Sequence, residues 1–344
     1  MALAACVLPV RRAAQSILSR RRVTNKQRPV GFDACLQNRG FETFEISRLL
    51  FALKTKVESL QNQIRYVCKR VLMFLFYLFV AYVLLLIVMR VLERHMIFFP
   101  NYPGRLEGDW HPRPLNPEDV WLTASDGTKL HAWWISGPAA KFTLLAFHGN
   151  ASNLANRSPT YEFLRGTPVN ILALEYRGYG HSEGKPSEAG LYIDADAAYQ
   201  FLVNTKRLAP KSIVSFGQSL GTVVATNLAA EHPVGGLVLE APLPSASRAA
   251  TKLFWFLPGL SLLVRSQFDT ISKLRQVTAP ILVVHCKLDP VLPFQFGQEV
   301  YNAAPSPKHF LEIDGECHEE SSLIAPEPYR STLREFLASL DQSE

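Results

Sequence analysis

The sequence is poor in the patterns from which metal centres and nucleotide sites are built. Its five cysteines include no C-x-x-C pair, and His318-Glu-Glu is not the H-E-x-x-H of a zinc protease, so no metal and no other cofactor is expected. Gly178-Tyr-Gly180-His-Ser-Glu-Gly184 has the wrong spacing for G-x-G-x-x-G. Gly184-Lys-Pro lacks the hydroxyl residue of a P-loop, so neither phosphate cradle is present. No internal repeat runs through the chain. The net charge of +6 would suit a polyanion partner, but its distribution argues otherwise. Residues 1–70 carry 14 Lys/Arg against four Asp/Glu, leaving the remainder net acidic. Nucleic-acid binding is therefore not expected.

The basic stretch ends at an uncharged run, Val71 to Met89, bracketed by Lys69-Arg70 and Arg90. At ~1.5 Å rise per residue the run crosses a hydrocarbon core of roughly 30 Å. It is too long for a cleaved signal peptide and lacks a small-residue cleavage site, so it reads as a transmembrane signal anchor over 71–91. The lipid bilayer is the expected partner of this segment. The positive-inside rule then holds the N-terminus in the cytoplasm and puts residues 92–344 on the opposite side, although Arg90 and Arg94 sit on the far flank. Residues 1–70 read as a largely disordered or helical extension. Its first 30 residues, with six arginines and no acidic residue, suit a basic tail near anionic lipid, with an organellar transit peptide as the alternative.

Gly217-Gln218-Ser219-Leu220-Gly221 follows the apolar run Ser212–Phe216 and precedes a helix-like Thr222–Ala230. A serine between glycines at a strand-to-helix turn has its hydroxyl exposed by a strained backbone, which makes Ser219 the candidate nucleophile. A serine hydroxyl needs a base, and the base needs a carboxylate to orient it. His232 ends the helix after the serine, His285 lies inside the apolar run Pro280–Cys286, and His309 opens a strand-like segment. His318, in the loop just past that segment, is the expected base. Asp289, just past Ile281–Cys286, is the expected acid, with Glu240 at the end of Leu237-Val-Leu-Glu as the runner-up. The oxyanion needs two N–H donors: Leu220, after the nucleophile, and Asn150, after Phe142–Phe147, with Ala151 as the fallback. His148 reads as a structural residue bonded to its own loop.

Alternating strands and helices follow throughout the C-terminal region, the signature of a mainly parallel sheet covered on both faces. A hairpin turning at Asp126-Gly127 opens it. Strands are expected at 120–125, 129–135, 142–147, 170–174, 212–216, 236–239, 281–286 and 309–313, eight in all. The clearest helices are Tyr192–Lys206, Thr222–Glu231 and Pro326–Leu340. Between two of the strands, Leu243–Thr278 reads as a short cap, with Leu253-Phe-Trp-Phe-Leu at its centre. Phe254, Trp255, Phe256 and Leu257 are expected to line an acyl pocket or to meet the bilayer. Cys286 and Cys317 are expected to remain thiols, a disulfide between them being the lesser alternative for an extracytoplasmic domain.

His148-Gly-Asn-Ala, Glu175-Tyr-Arg-Gly-Tyr-Gly-His-Ser-Glu-Gly-Lys-Pro-Ser, Gly217-Gln-Ser-Leu-Gly and the Asp289 and His318 loops together resemble the α/β-hydrolase superfamily. Within it, the chain is similar to membrane-tethered serine hydrolases of the Bem46 and ABHD13/ABHD17 type over about residues 92–340. The resemblance implies the α/β-hydrolase fold and hydrolysis through an acyl-enzyme. The serine at the elbow argues against the epoxide-opening and dehalogenating branches, which use aspartate. Gln218 stands where many Bem46-type proteins have arginine. The expected activity is that of a membrane-anchored serine hydrolase cleaving an ester or thioester with an acyl chain. A peptidase or amidase on the same fold, or a non-catalytic membrane adaptor, are the alternatives.

Overall fold

A computed structural model describes residues 36–341 of the chain; the arginine-rich start of the basic extension lies outside the described residues. The first element, α1, is a helix of 62 residues, Leu36–Ile97. Its stretch Phe44–Ile97 contains a window of mean hydropathy 3.0 and is long and apolar enough to cross a membrane. The chain divides into two compact units inside this helix, Met1–Phe79 and Val80–Glu344. The second unit therefore takes in the final turns of α1, whereas the sequence suggested a boundary after residue 91.

Within the second unit the elements follow as β1 (Glu118–Thr123), β2 (Lys129–Ile135), β3 (Phe142–Phe147), α2 (Ser158–Arg165), β4 (Val169–Leu174), α3 (Glu188–Gln200), β5 (Ile213–Gln218), α4 (Leu220–Glu231) and β6 (Gly236–Glu240). Then come α5 (Ala246–Leu253), α6 (Thr270–Leu274), β7 (Ile281–Cys286), α7 (Phe294–Ala303), β8 (Lys308–Ile313), α8 (Ser321–Ile324) and α9 (Pro326–Leu340). The eight strands form one sheet in the order β1-β2-β4-β3-β5-β6-β7-β8. The β1–β2 and β2–β4 pairs are antiparallel and all others parallel. This is the α/β-hydrolase fold.

Side-chain alternation places both faces of the central strands under cover. Leu145, Phe147, Leu237, Leu239 and Val283 pack with Val223, Val224 and Leu228 of α4. Leu144, Ala146, Val238, Leu282 and Val284 pack with Leu333, Phe336 and Leu337 of α9. Each such side chain, fully buried, contributes about 1.5–3 kcal/mol, which holds a parallel sheet that has no solvent-facing side. At the β1–β2 turn Gly127 takes φ 85°, a left-handed conformation that suits glycine, and Asp126 Oδ1 accepts from Thr128 N at 3.1 Å.

The chain passes from β3 outward to β4 and then returns to β5 on the other side of β3. Crevices form beyond the carboxyl ends of strands at such a switch point. The loops after β3, β5, β7 and β8, which carry Asn150, Ser219, Asp289 and His318, all emerge at that end. The cap consists of α5, a 3-10 turn at Leu260–Leu262 and α6. Ser245 and Asp269 start its helices, accepting from Arg248 N at 3.2 Å and Ser272 N at 3.1 Å.

Candidate active site

Ser219 occupies a backbone conformation of φ 51° and ψ −117° between β5 and α4. That conformation is costly for a residue with a side chain, and close packing on both sides enforces it. A Cβ on Gly217 would lie 2.3 Å from Gly221 O, and one on Gly221 would lie 2.0 Å from Phe147 O. Ser219 N donates to Glu240 O at 2.9 Å, fixing the turn to β6.

The Ser219 hydroxyl lies 2.8 Å from His318 Nε2, and His318 Nδ1 lies 2.8 Å from Asp289 Oδ2. Asp289 Oδ1 accepts from Val291 N at 2.7 Å and Leu292 N at 2.8 Å, so the carboxylate is held from its own loop. Burial works against ionisation of Asp289, but hydrogen bonds from His285 and His318 outweigh it and hold the carboxyl well below its usual range. Burial likewise opposes charge on His318. The Asp289 hydrogen bond and the negative charges of Glu319, Asp289 and Glu320 prevail, so its basicity is raised.

Glu240 does not touch His318. Its carboxylate accepts from Ser321 N at 3.1 Å, Gln218 Nε2 at 3.0 Å and Tyr329 Oη at 3.2 Å. With no cation beside it, burial pushes its pKa up to about 7, against the pull of those three donors. The structure thus gives the runner-up acid a place beneath the site, joining β6 to the segment after His318.

Leu220 is the first residue of α4, where amides have no partner within the helix. Asn150 lines the same cavity as Ser219 and Leu220. It is pinned on several sides: its carbonyl accepts from Phe99 N at 3.0 Å and Tyr179 Oη at 2.7 Å, and its Nδ2 donates to Ile97 O at 3.0 Å. The fallback Ala151 bridges to Phe99. His148 Nδ1 lies 2.8 Å from Gly149 O, within its own loop.

The cavity beside Ser219 measures about 260 Å³. Its walls are almost wholly apolar: Met89, Met96 and Ile97 of α1 on one side, and Leu253, Phe254, Leu260 and Phe268 of the cap on another. Of the four cap residues expected to line it, Phe254 does. Trp255, Phe256 and Leu257 do not, and Trp255 is 80% exposed. The reason is that α5 ends at Leu253 and Phe254 alone turns inward, while the next residues pass over the outside of the cap.

Several residues escaped the sequence reading. Arg157 forms an ion pair with Glu319, the residue after His318, and its Nη2 donates to Ala151 O at 3.0 Å. A cation at the N-cap of a helix opposes the helix dipole, and this was the signal that Arg157 has an acidic partner elsewhere. His285, a fully buried strand residue as expected, also places its Nε2 3.2 Å from Asp289 Oδ2 and 3.1 Å from Leu292 O. Glu93, from α1, reaches the cavity and accepts from Ser266 N at 2.8 Å and Arg265 N at 3.0 Å. Finally, Cys286 and Cys317 are paired in a disulfide with Cα atoms 5.7 Å apart, correcting the expectation of thiols. They meet because β7 and β8 are neighbours and the chain beyond β8 folds back over the end of β7.

Comparison with known proteins follows the same lines. The family model described as "Serine aminopeptidase, S33" matches residues 138–261. The human α/β-hydrolase domain-containing protein 17C is 33% identical over 242 residues, covering 68% of this chain and 70% of its own length. The Escherichia coli protein YfhR is 32% identical over 281 residues, covering 79% of this chain and 96% of its own. The esterase Pf2001 of Pyrococcus furiosus shares the fold, with a TM-score of 0.56 at 24% identity over 71% of this chain and 97% of that one. With sequence likeness running through most of these relatives and the eight-stranded sheet beneath it, the chain belongs to the α/β-hydrolase superfamily, as a relative of the 17-type proteins.

Proposed function

We propose that the protein is a membrane-anchored serine hydrolase that cleaves a carboxylic ester or thioester bearing an acyl chain. The observation that carries the reading is the unbroken line Ser219–His318–Asp289, two 2.8 Å hydrogen bonds opening on an apolar cavity. In the first step Ser219 Oγ bonds to the acyl carbon as His318 Nε2 takes its proton. The carbonyl oxygen, now an oxyanion, faces the N–H groups of Asn150 and Leu220. Collapse breaks the bond to the alcohol or thiol, which leaves with the proton from His318. Water repeats the sequence, giving the free acid and restoring Ser219. Asp289 stays ionised throughout, keeping the His318 tautomer that presents Nε2 to the serine.

The apolar length of α1 supports anchoring, and the Cys286–Cys317 pair supports a catalytic domain on the extracytoplasmic side, where disulfides persist. A peptidase reading is favoured by the description of the matching family model. It is weakened by the cavity, because an aminopeptidase must hold a cationic amino terminus. The acid available there, Glu93, is already engaged by Arg90 at 3.2 Å and by the Arg265 and Ser266 amides. A fluorophosphonate probe on the membrane-inserted protein should label Ser219 and leave Ser219→Ala unlabelled. A panel of acyl esters, thioesters and aminoacyl amides then separates the two readings. Labelling that survives Ser219→Ala would falsify the nucleophile.

A further inference from the structure

We infer that the cap is a second membrane-contacting surface, and that the substrate's acyl chain enters sideways from the bilayer through the gap between the end of α1 and the cap. The nature of the substrate rests on the acyl-hydrolase reading above, and the membrane contact on the anchoring by α1 that is part of the same reading. Tyr82 lies inside the uncharged run that ends at Met89, and its hydroxyl donates to the carbonyl of Pro258 in the cap. Seven residues of helix separate Tyr82 from Met89, about 10 Å along the axis. The part of the cap around Pro258 therefore lies level with the lipid-facing portion of the helix rather than out in water.

The surface of the cap suits that position. On either side of Pro258, Trp255 and Leu262 are 80% and 87% exposed, and Phe256 is also exposed. None of the three lines the cavity. A cluster of this size is costly against water and is what a bilayer interface accepts, tryptophan above all. The occupant of this surface is the membrane that already holds α1.

The cavity connects the two surfaces. Met89 and Met96 form its helix wall, Leu253 and Leu260 its cap wall, and Ser219 lines it as well. The polar boundary falls at Glu93, held by the Arg265 and Ser266 amides. A chain sliding in from lipid passes from one apolar surrounding to another, and avoids the cost of exposing its methylenes to water on the way.

The test uses the full-length protein in phosphatidylcholine nanodiscs, with or without brominated acyl chains. The other four of its five tryptophans lie on β1 and β2 or before them. The fluorescence lost in Trp255→Phe should account for a several-fold larger quenched fraction than the fluorescence that remains. Equal quenching of the wild type and the variant overturns the membrane contact. With Trp255→Asp and Leu262→Asp combined, hydrolysis of a long-chain ester embedded in the nanodisc should fall about tenfold or more, while a water-soluble acetyl ester is turned over as before. An equal loss on both esters overturns the entry route. A wild type whose Trp255 is quenched but which cleaves neither ester upholds the contact and overturns the acyl-hydrolase reading instead.

Discussion

Gln218, the residue before the serine, donates its side-chain amide to the carbonyl of Glu319, the residue after the histidine, at 3.0 Å. The same Nε2 donates to Glu240 at 3.0 Å, so one uncharged side chain ties β5, β6 and the His318 loop together. Gln218→Ala removes the tie without touching the reacting atoms. Turnover should fall by about one to two orders of magnitude with KM little changed, since misplacement by an ångström costs on that scale. Steady-state kinetics on a short ester measures this. A variant with wild-type kcat would show that the remaining ties to the loop, the Arg157–Glu319 pair, the Ser321–Glu240 hydrogen bond and the Cys286–Cys317 disulfide, hold it without Gln218.

The pH dependence follows from His318. As a base it must be neutral, and its basicity is raised by the hydrogen bond to Asp289 and the nearby carboxylates, against the effect of burial. Activity should therefore rise with pH through a midpoint above ~6.5, the ordinary imidazole value. Glu320→Gln removes one of the charges and should lower that midpoint. Asp289→Asn should reduce kcat on the order of 10⁴-fold, because the histidine then takes the wrong tautomer. Profiles of kcat/KM against pH for the three proteins decide the matter; a profile flat from acid to neutral pH would remove His318 from its role.

The parts of this molecule visible in its sequence are those with local causes. Pro326–Leu340 and Phe142–Phe147 have the bounds expected of them because proline opens the first and an apolar run ended by His148-Gly149 marks the second. Strand β5 runs two residues further than expected, to Gln218, because its pairing with Glu240 of β6 continues to the edge of the elbow. Ser219, Asp289 and His318 could be proposed together from the sequence since each stands just past a strand, and the structure brings the three side chains within hydrogen-bond reach. Arg157–Glu319 was not legible, because its partners lie 162 residues apart and are brought together by the fold; His285–Asp289 was not, because only the turn after β7 brings two residues four apart back into contact. The part played by the end of α1 in the cavity wall was hidden for another reason. An apolar run carries no mark of which side chains face lipid and which a cavity, so Met89 looked like part of the anchor alone. In the cap the same ambiguity held: with no regular helix to orient four adjacent aromatic and aliphatic residues, the sequence does not say that Phe254 faces the cavity and Trp255 the outside.

Burial of Glu240 has a stability consequence of definite sign. Its folded-state pKa is raised from 4.5 to about 7. A group so raised contributes stability that is fully present below its unfolded value and is lost as pH rises through its folded value. Thermal stability attributable to Glu240 should thus decline between about pH 4.5 and 7, by on the order of 3 kcal/mol in total. In Glu240→Gln that part of the decline should vanish, with some loss at low pH from the rearranged bonds to Gln218, Ser321 and Tyr329. Unfolding midpoints of the two proteins across pH test it, and parallel curves would show that Glu240 keeps an ordinary acidity.

Cys317 adjoins His318 and Cys286 lies three residues before Asp289, so their disulfide fastens the base and acid loops to each other. With a sequence separation of 31, the closed loop contributes about 3–4 kcal/mol in the chain-entropy account. Reductant, or Cys317→Ser, should lower the unfolding midpoint and slow fluorophosphonate labelling. Alkylation and mass spectrometry of protein kept in its native membrane should find both sulfurs blocked. If both instead react as thiols, the support for an extracytoplasmic domain is lost with them.

Chain-length selectivity should reside in Phe254 rather than in its neighbours. Phe254 lines the cavity with Leu253 and Leu260, whereas Trp255, two positions past the end of α5, stands outside it. An acyl chain long enough to reach Phe254 gains up to ~0.8 kcal/mol for each CH₂ it buries, while an acetyl group stops short of that wall. Phe254→Ser should therefore depress kcat/KM for long-chain esters by one to two orders of magnitude relative to acetyl esters, the amount that about two or three lost contacts supply. Trp255→Phe keeps an apolar ring on the outside of the cap and leaves the cavity wall untouched, so its preference should match the wild type. The measurement is kcat/KM across a series of straight-chain esters presented in one detergent, which removes the membrane from the comparison. Should Phe254→Ser lose acetyl and long-chain activity alike, the residue supports the folding of the cap, and the selectivity must come from the methionines of α1 on the opposite wall.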